Sequence, residues 1–194
     1  MREEMVKIYK FDELSNEVQE KVIRRFRESD NYLDYAWYDY TMEQYVNKAR
    51  TQGIDNAEFS FSGFWSQGDG AGISKGDIDI EKALEVFGIT FAHDASRKVF
   101  LQQVETSCYR VKRGNYTDSA FSVDYYGTGY NKLDSYLETK ADQLATRIND
   151  ATESLTSALY NDLEKEYEYL MSDESITENI IANDYEFLAD GTMW

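Results

Sequence analysis

The sequence predicts an α+β fold: a small antiparallel sheet packed with helices, ending in a long acidic helical segment. Three observations lead there. Apolar residues recur at helical spacing from Leu133 to about Met171. Shorter stretches alternate apolar and polar residues as half-buried strands do. Proline is absent from all 194 residues, so no ring clash or missing donor interrupts a helix. The expected organisation is an α+β body over 1–132, with the acidic helical segment 133–194 packed on it as one domain overall.

The elements follow in order. "MVKIYKF" is a short strand-like start, and "SNEVQEKVIRRFRES" a helix capped by Ser15, with Val18, Val22 and Phe26 on one face beside Ile23. "NYLDYAWYDYTMEQYVNKARTQG" reads as a second helix. Its stripe is Tyr35, Tyr38, Met42, Tyr45, Val46 and Ala49, and Gly53 is its stop. "AEFSFSGF" places Ala57, Phe59 and Phe61 on one face of a strand, and a loop runs from Ser66 to Gly72. "DIEKALEVFG" reads as a short helix capped by Asp79, and "DASRKVFLQQVE" is ambiguous with helix preferred. "SCYRVKR" and "YTDSAFSVDYYG" form a hairpin about a two-residue Gly114-Asn115 turn, with Phe121, Val123 and Tyr125 on one side.

The long apolar pattern of Leu133, Leu137, Leu144, Ile148, Leu155, Leu159, Leu163, Tyr167 and Leu170 allows one helix or two. Unbroken, it runs roughly 55 Å at about 1.5 Å per residue. A break at Asn149–Thr152 gives an antiparallel pair instead. Ser175 and Glu178 match a capping box for a last helix over 175–183, and the aromatic tail "YEFLADGTMW" is expected to dock back on the body.

Charge is the strongest global signal. Thirty-seven acidic residues face 20 basic ones, a net of −17. From Leu133 onward there are 15 acidic and 3 basic residues, net −12, against −5 for residues 1–132. Such a surface repels nucleic-acid phosphates and anionic lipid, so neither direct nucleic-acid nor membrane binding is expected. With no long apolar run, no apolar leader in "MREEMVKIYKFDEL" and Cys108 as the single cysteine, the expectation is a cytoplasmic protein without disulfides.

Catalytic signals are sparse. His93 is the single histidine and reads as an incidental polar residue, while Cys108 reads as a spectator thiol. Zinc clusters, P-loops, nucleophile elbows and dinucleotide fingerprints are missing, so no cofactor, metal or catalytic residue is assigned. The stretch "FWSQGDG" remains. Its glycines permit positive φ and close backbone approach, Gln67 and Asp69 offer polar anchors, and Phe64 and Trp65 offer stacking planes. Phe64, Trp65, Ser66, Gln67, Gly68, Asp69 and Gly70 are therefore candidate binding residues, against the alternative of a purely structural loop. Arg110, Lys112 and Arg113 on the hairpin form a candidate basic patch.

"FSGFWSQGDGA", with "YKFDELSNEVQEK" before it and "YEYLMSDESITENIIANDYEF" after it, resembles a family of tailed-phage and prophage proteins. The three blocks keep their order across nearly the whole chain. The resemblance brings no established activity or catalytic residue. It implies an accessory product acting in the cytoplasm of a host bacterium. Three functions are then open. The first is an acidic inhibitor that occupies a basic groove of a host defence or nucleic-acid-handling protein. The second is a binder that sequesters a nucleotide signal at the aromatic loop and the basic hairpin. The third is an enzyme of unrecognised type using Asp69 as acid or base.

Overall fold

The computed structural model describes residues 6–29, 32–33 and 36–194. The fold is α+β, and the strands among the described residues form three separate two-stranded antiparallel sheets rather than one. The chain divides into two compact units, one of residues 1–38 with 164–194 and one of residues 39–163. This division falls elsewhere than at residue 132.

In the first unit, β1 (Tyr9–Lys10) pairs with β6 (Glu186–Phe187), placing Tyr9 opposite Phe187. The expected docking of the aromatic tail is thus real. Phe187 is buried, edge-on to Phe11 at 6.3 Å. Around this pair Val22 of α1 (Asn16–Arg27) meets Ile176 and Ile180 of α6 (Asp173–Ala182). Ser15 occupies the N-cap position of α1 but its side chain makes no capping bond. For α6 the cap is Ser172, whose hydroxyl accepts from the Ser175 N–H at 3.2 Å. The helix therefore starts before the expected Ser175–Glu178 box, and Ser175 is itself buried. The strand-like start shrinks to two residues because a 3₁₀ turn over Phe11–Glu13 follows at once.

The second unit opens with α2 (Asp39–Thr51), shorter than the expected helix. Tyr35 of the predicted stripe lies outside the described residues, Ala36 to Tyr38 form a turn, and Tyr45 and Ala49 are buried as the pattern requires. Gly53, at φ +83°, ends the helix. β2 (Ile54–Phe61) then pairs with β3 (Ala71–Ile78). The sequence reading missed β3, because Gly72 and Gly76 interrupt its alternation. Those glycines are packing requirements. A Cβ on Gly76 would meet Ile54 and Phe121 at 3.1 Å, and one on Gly72 would lie 2.6 Å from the Thr117 carbonyl.

α3 (Ile80–Val86) is capped by Asp79 as expected, its carboxylate accepting from the Lys82 N–H at 3.1 Å. The ambiguous stretch is helical as α4 (Asp94–Gln103). It leads into β4 (Val104–Val111), paired with β5 (Asp118–Tyr125). The expected two-residue turn is incorrect. Val111 stands opposite Asp118, so residues 112–117 form the connection, and neither Gly114 nor Asn115 takes positive φ.

The open question about the last long helix is settled by α5 (Asn131–Leu170), 40 residues without a break and about 60 Å long. Its polar stretch stays helical because Asn149 and Thr152 find partners there and Asp150 faces outward. The Asn149 amide accepts from the Phe121 N–H at 3.0 Å and donates to the Phe121 carbonyl at 2.8 Å, closing the outer edge of β5. Thr152 donates back to the Ile148 carbonyl at 2.8 Å. Leu137, Leu144, Ile148, Leu159 and Leu163 are fully buried along one stripe, and Ile54, Ile73 and Phe100 are core residues of the same unit.

Candidate functional site

The two stretches singled out in the sequence meet. The β2–β3 connection, residues 62–70, and the β4–β5 connection, residues 112–117, dock tip to tip. The Asn115 N–H donates to the Gly68 carbonyl at 2.8 Å, and its side-chain amide donates to the Gln67 carbonyl at 3.2 Å. Close approach explains the glycines. A Cβ on Gly70 would meet the Tyr116 ring at 2.5 Å, one on Gly114 would meet the Gly68 carbonyl at 2.4 Å, and Gly68 itself sits at φ +91°.

Asp69 organises this loop from inside. Its carboxylate accepts from the Ser66 N–H at 2.7 Å, and its own N–H donates to the Ser66 carbonyl at 3.0 Å. The Ser66 amide is the main reason its carboxyl is held below the ordinary value. Desolvation opposes this, while the Ser62 hydroxyl, the Asn115 amide and the Trp65 N–H add to it. A carboxylate fixed by so many donors closes a loop, and it is poorly suited to give up or take a proton near neutrality.

The aromatics form a step beside it. Phe64 stacks on Phe61 at 5.8 Å and leans on Tyr160 of α5 at 5.5 Å, and the Tyr160 hydroxyl donates to the Gly63 carbonyl at 3.1 Å. Trp65 meets Phe64 edge-on at 5.8 Å yet is 70% exposed. Ser66 and Gln67 are also exposed.

The basic patch divides. Arg113 is occupied by the buried carboxylate of Asp118, at 3.2 Å, which also accepts from the Ile73 N–H at 3.3 Å. Arg110 reaches the Thr117 hydroxyl at 3.3 Å. Arg110 and Lys112 line an open depression of about 440 Å³ with Gly114, Asn115, Tyr116 and Thr117. Asn115, Tyr116, Asp118 and Tyr160, which organise this region, escaped the sequence reading. The glycines at 70, 72 and 114 were the one local signal that a second backbone lay close.

His93 is exposed ahead of α4 without a capping bond, and Cys108 is half-buried opposite Phe121. Among the described residues no cluster of His, Cys, Asp and Glu side chains could hold a metal ion. No helix of the described residues is long and apolar enough to cross a membrane.

A second surface lies along α5. Glu138, Asp142, Asp150 and Glu153 are exposed and join none of the ion pairs among the described residues. With 3.6 residues per turn, Glu138, Asp142, Glu153 and Tyr160 fall within about 60° of one another around the axis. Carboxylates and the aromatic step therefore share one side of the helix.

A family model described as "Domain of unknown function (DUF8835)" matches residues 37–173, a span that holds both docked loops and the whole of α5. No curated protein and no solved structure matches the chain.

Proposed function

The chain belongs to the DUF8835 family, and from that premise we propose that it works by binding: an acidic accessory protein that occupies a basic surface of a host nucleic-acid-handling or defence protein. The observation that carries this reading is the exposed side of α5, where Glu138, Asp142, Asp150 and Glu153 have no basic partner among the described residues. Carboxylates left unpaired on a rigid helix keep their field available to an incoming cation, and such fields speed encounter and select basic partners. The net charge of −17 adds a long-range term of the same sign. Trp65 supplies an exposed aromatic on a loop held rigid from within, the residue type most enriched at interface hot spots. The tailed-phage resemblance of the 61–71 motif supports a setting in the cytoplasm of an infected bacterium.

The test is retrieval of partners from bacterial lysate as salt rises from about 0.05 M to about 0.5 M, where screening lengths shrink from beyond about 10 Å to a few ångströms. A basic nucleic-acid-handling protein should be held at low salt and released at high salt. A variant carrying Glu138→Gln, Asp142→Asn, Asp150→Asn and Glu153→Gln should fail to hold it. Recovery of no basic partner at low salt would count decisively against the proposal.

A second reading draws on the depression beside Arg110 and Lys112, whose cations and aromatic neighbour suit a nucleotide anion. Native mass spectrometry against a nucleotide panel should then show a retained ligand that Arg110→Ala with Lys112→Ala releases.

A further inference from the structure

The C-terminal turn of α3 is a Schellman motif: the Gly88 N–H donates to the Glu85 carbonyl at 3.1 Å and the Ile89 N–H to the Leu84 carbonyl at 2.9 Å. Gly88 makes the turn at φ +65°, with open space around its Cα. The turn forms a ridge between two open grooves that both include Gly88 and Ile89. One, about 550 Å³, is bounded on its far side by α5 and contains Asp142 and Asp150. The other, about 590 Å³, is bounded by α3 and contains Glu85 and the Arg97–Glu81 pair. The ridge is apolar. Val86 is 47% exposed, and Phe87 and Ile89 are half-buried.

We infer that this ridge and its two grooves are where the partner docks, and that the docking element is a basic amphipathic segment. The inference rests on the acidic-binding reading above and adds both the place and the chemistry. Apolar side chains of the segment seat against Val86, Phe87 and Ile89. Its Lys and Arg side chains reach Asp142 and Asp150 on one side and Glu85 on the other. Those three carboxylates join no ion pair among the described residues, whereas Glu81 is already taken by Arg97 at 2.9 Å. Lys82 and Arg147 also line the grooves, which disfavours a purely cationic strand and favours a ligand with an apolar face.

The experiment is an amide NMR titration of the full chain with two synthetic peptides of equal length and charge, a lysine–leucine amphipathic helix and a lysine–serine control. The lysine–leucine peptide should bind about tenfold or more tightly than the control, with shifts concentrated at Gly88, Ile89, Thr146 and Asp150. Ile89→Asp should erase the difference, and so should Val86→Ser, which alters a side chain already half outside the fold. Equal affinities with shifts spread along α5 would overturn the ridge and leave the acidic-binding reading standing. Failure of both peptides to bind at low salt would overturn the ridge and the acidic-binding reading together.

Discussion

Asp69 shows how one side chain can look catalytic and serve architecture. Its carboxyl is held below its ordinary value, first by the Ser66 amide, so the native state keeps it ionised where the unfolded chain would begin to bind a proton. Stabilisation by this group is therefore fully present above the unfolded value near 3.8 and is lost as pH falls through the lower, folded value. Asp69→Asn should lower the urea midpoint at pH 7, and the gap to the parent should narrow as acid protonates the parent's carboxylate. A gap that stays constant down to about pH 2 would show that charge plays no part. The loop's residue types, glycines around one acid beside aromatics, were legible in the sequence. What they serve was not, because the partner that explains them lies 48 positions away at Asn115.

Among the elements, α5 is tied to the backbone of β5 by Asn149. Asn149 satisfies both the N–H and the C=O of Phe121, so Asn149→Ala would leave a partly buried donor and acceptor unmet. The expected loss is about 1–3 kcal/mol. Urea unfolding should read it as a lowered midpoint with an unchanged slope. The helices were readable because buried leucines and isoleucines recur at helical spacing, which a polar stretch such as Asn149–Thr152 obscures only locally. β3 was unreadable for the opposite reason: Gly72 and Gly76 answer to neighbours across the fold, to Thr117 and to Phe121, and leave no alternation of their own. The cap of α6 was missed by three positions because the capping-box pattern favours Ser175, with Glu178 three residues on, whereas burial of Ser175 leaves Ser172 as the cap.

For the molecule as a whole, the sequence foretold an α+β fold with its acidity concentrated late in the chain, and the structure places part of that acidity unpaired on one side of α5. Nothing in the periodicity announced three separate sheets, since pairing between strands is a non-local choice. The tip-to-tip contact of the two hairpin loops has a kinetic consequence. Gln67 and Asn115 can meet only after each hairpin has formed, so their contact gathers late, when most chain entropy has already been lost. Interactions absent from the folding transition state act on the unfolding rate alone. Asn115→Ala should thus speed unfolding while leaving the refolding arm of the chevron in place, and a slowed refolding arm would refute this order of events. On that account the docked loops govern how long the folded molecule lasts rather than how fast it arises.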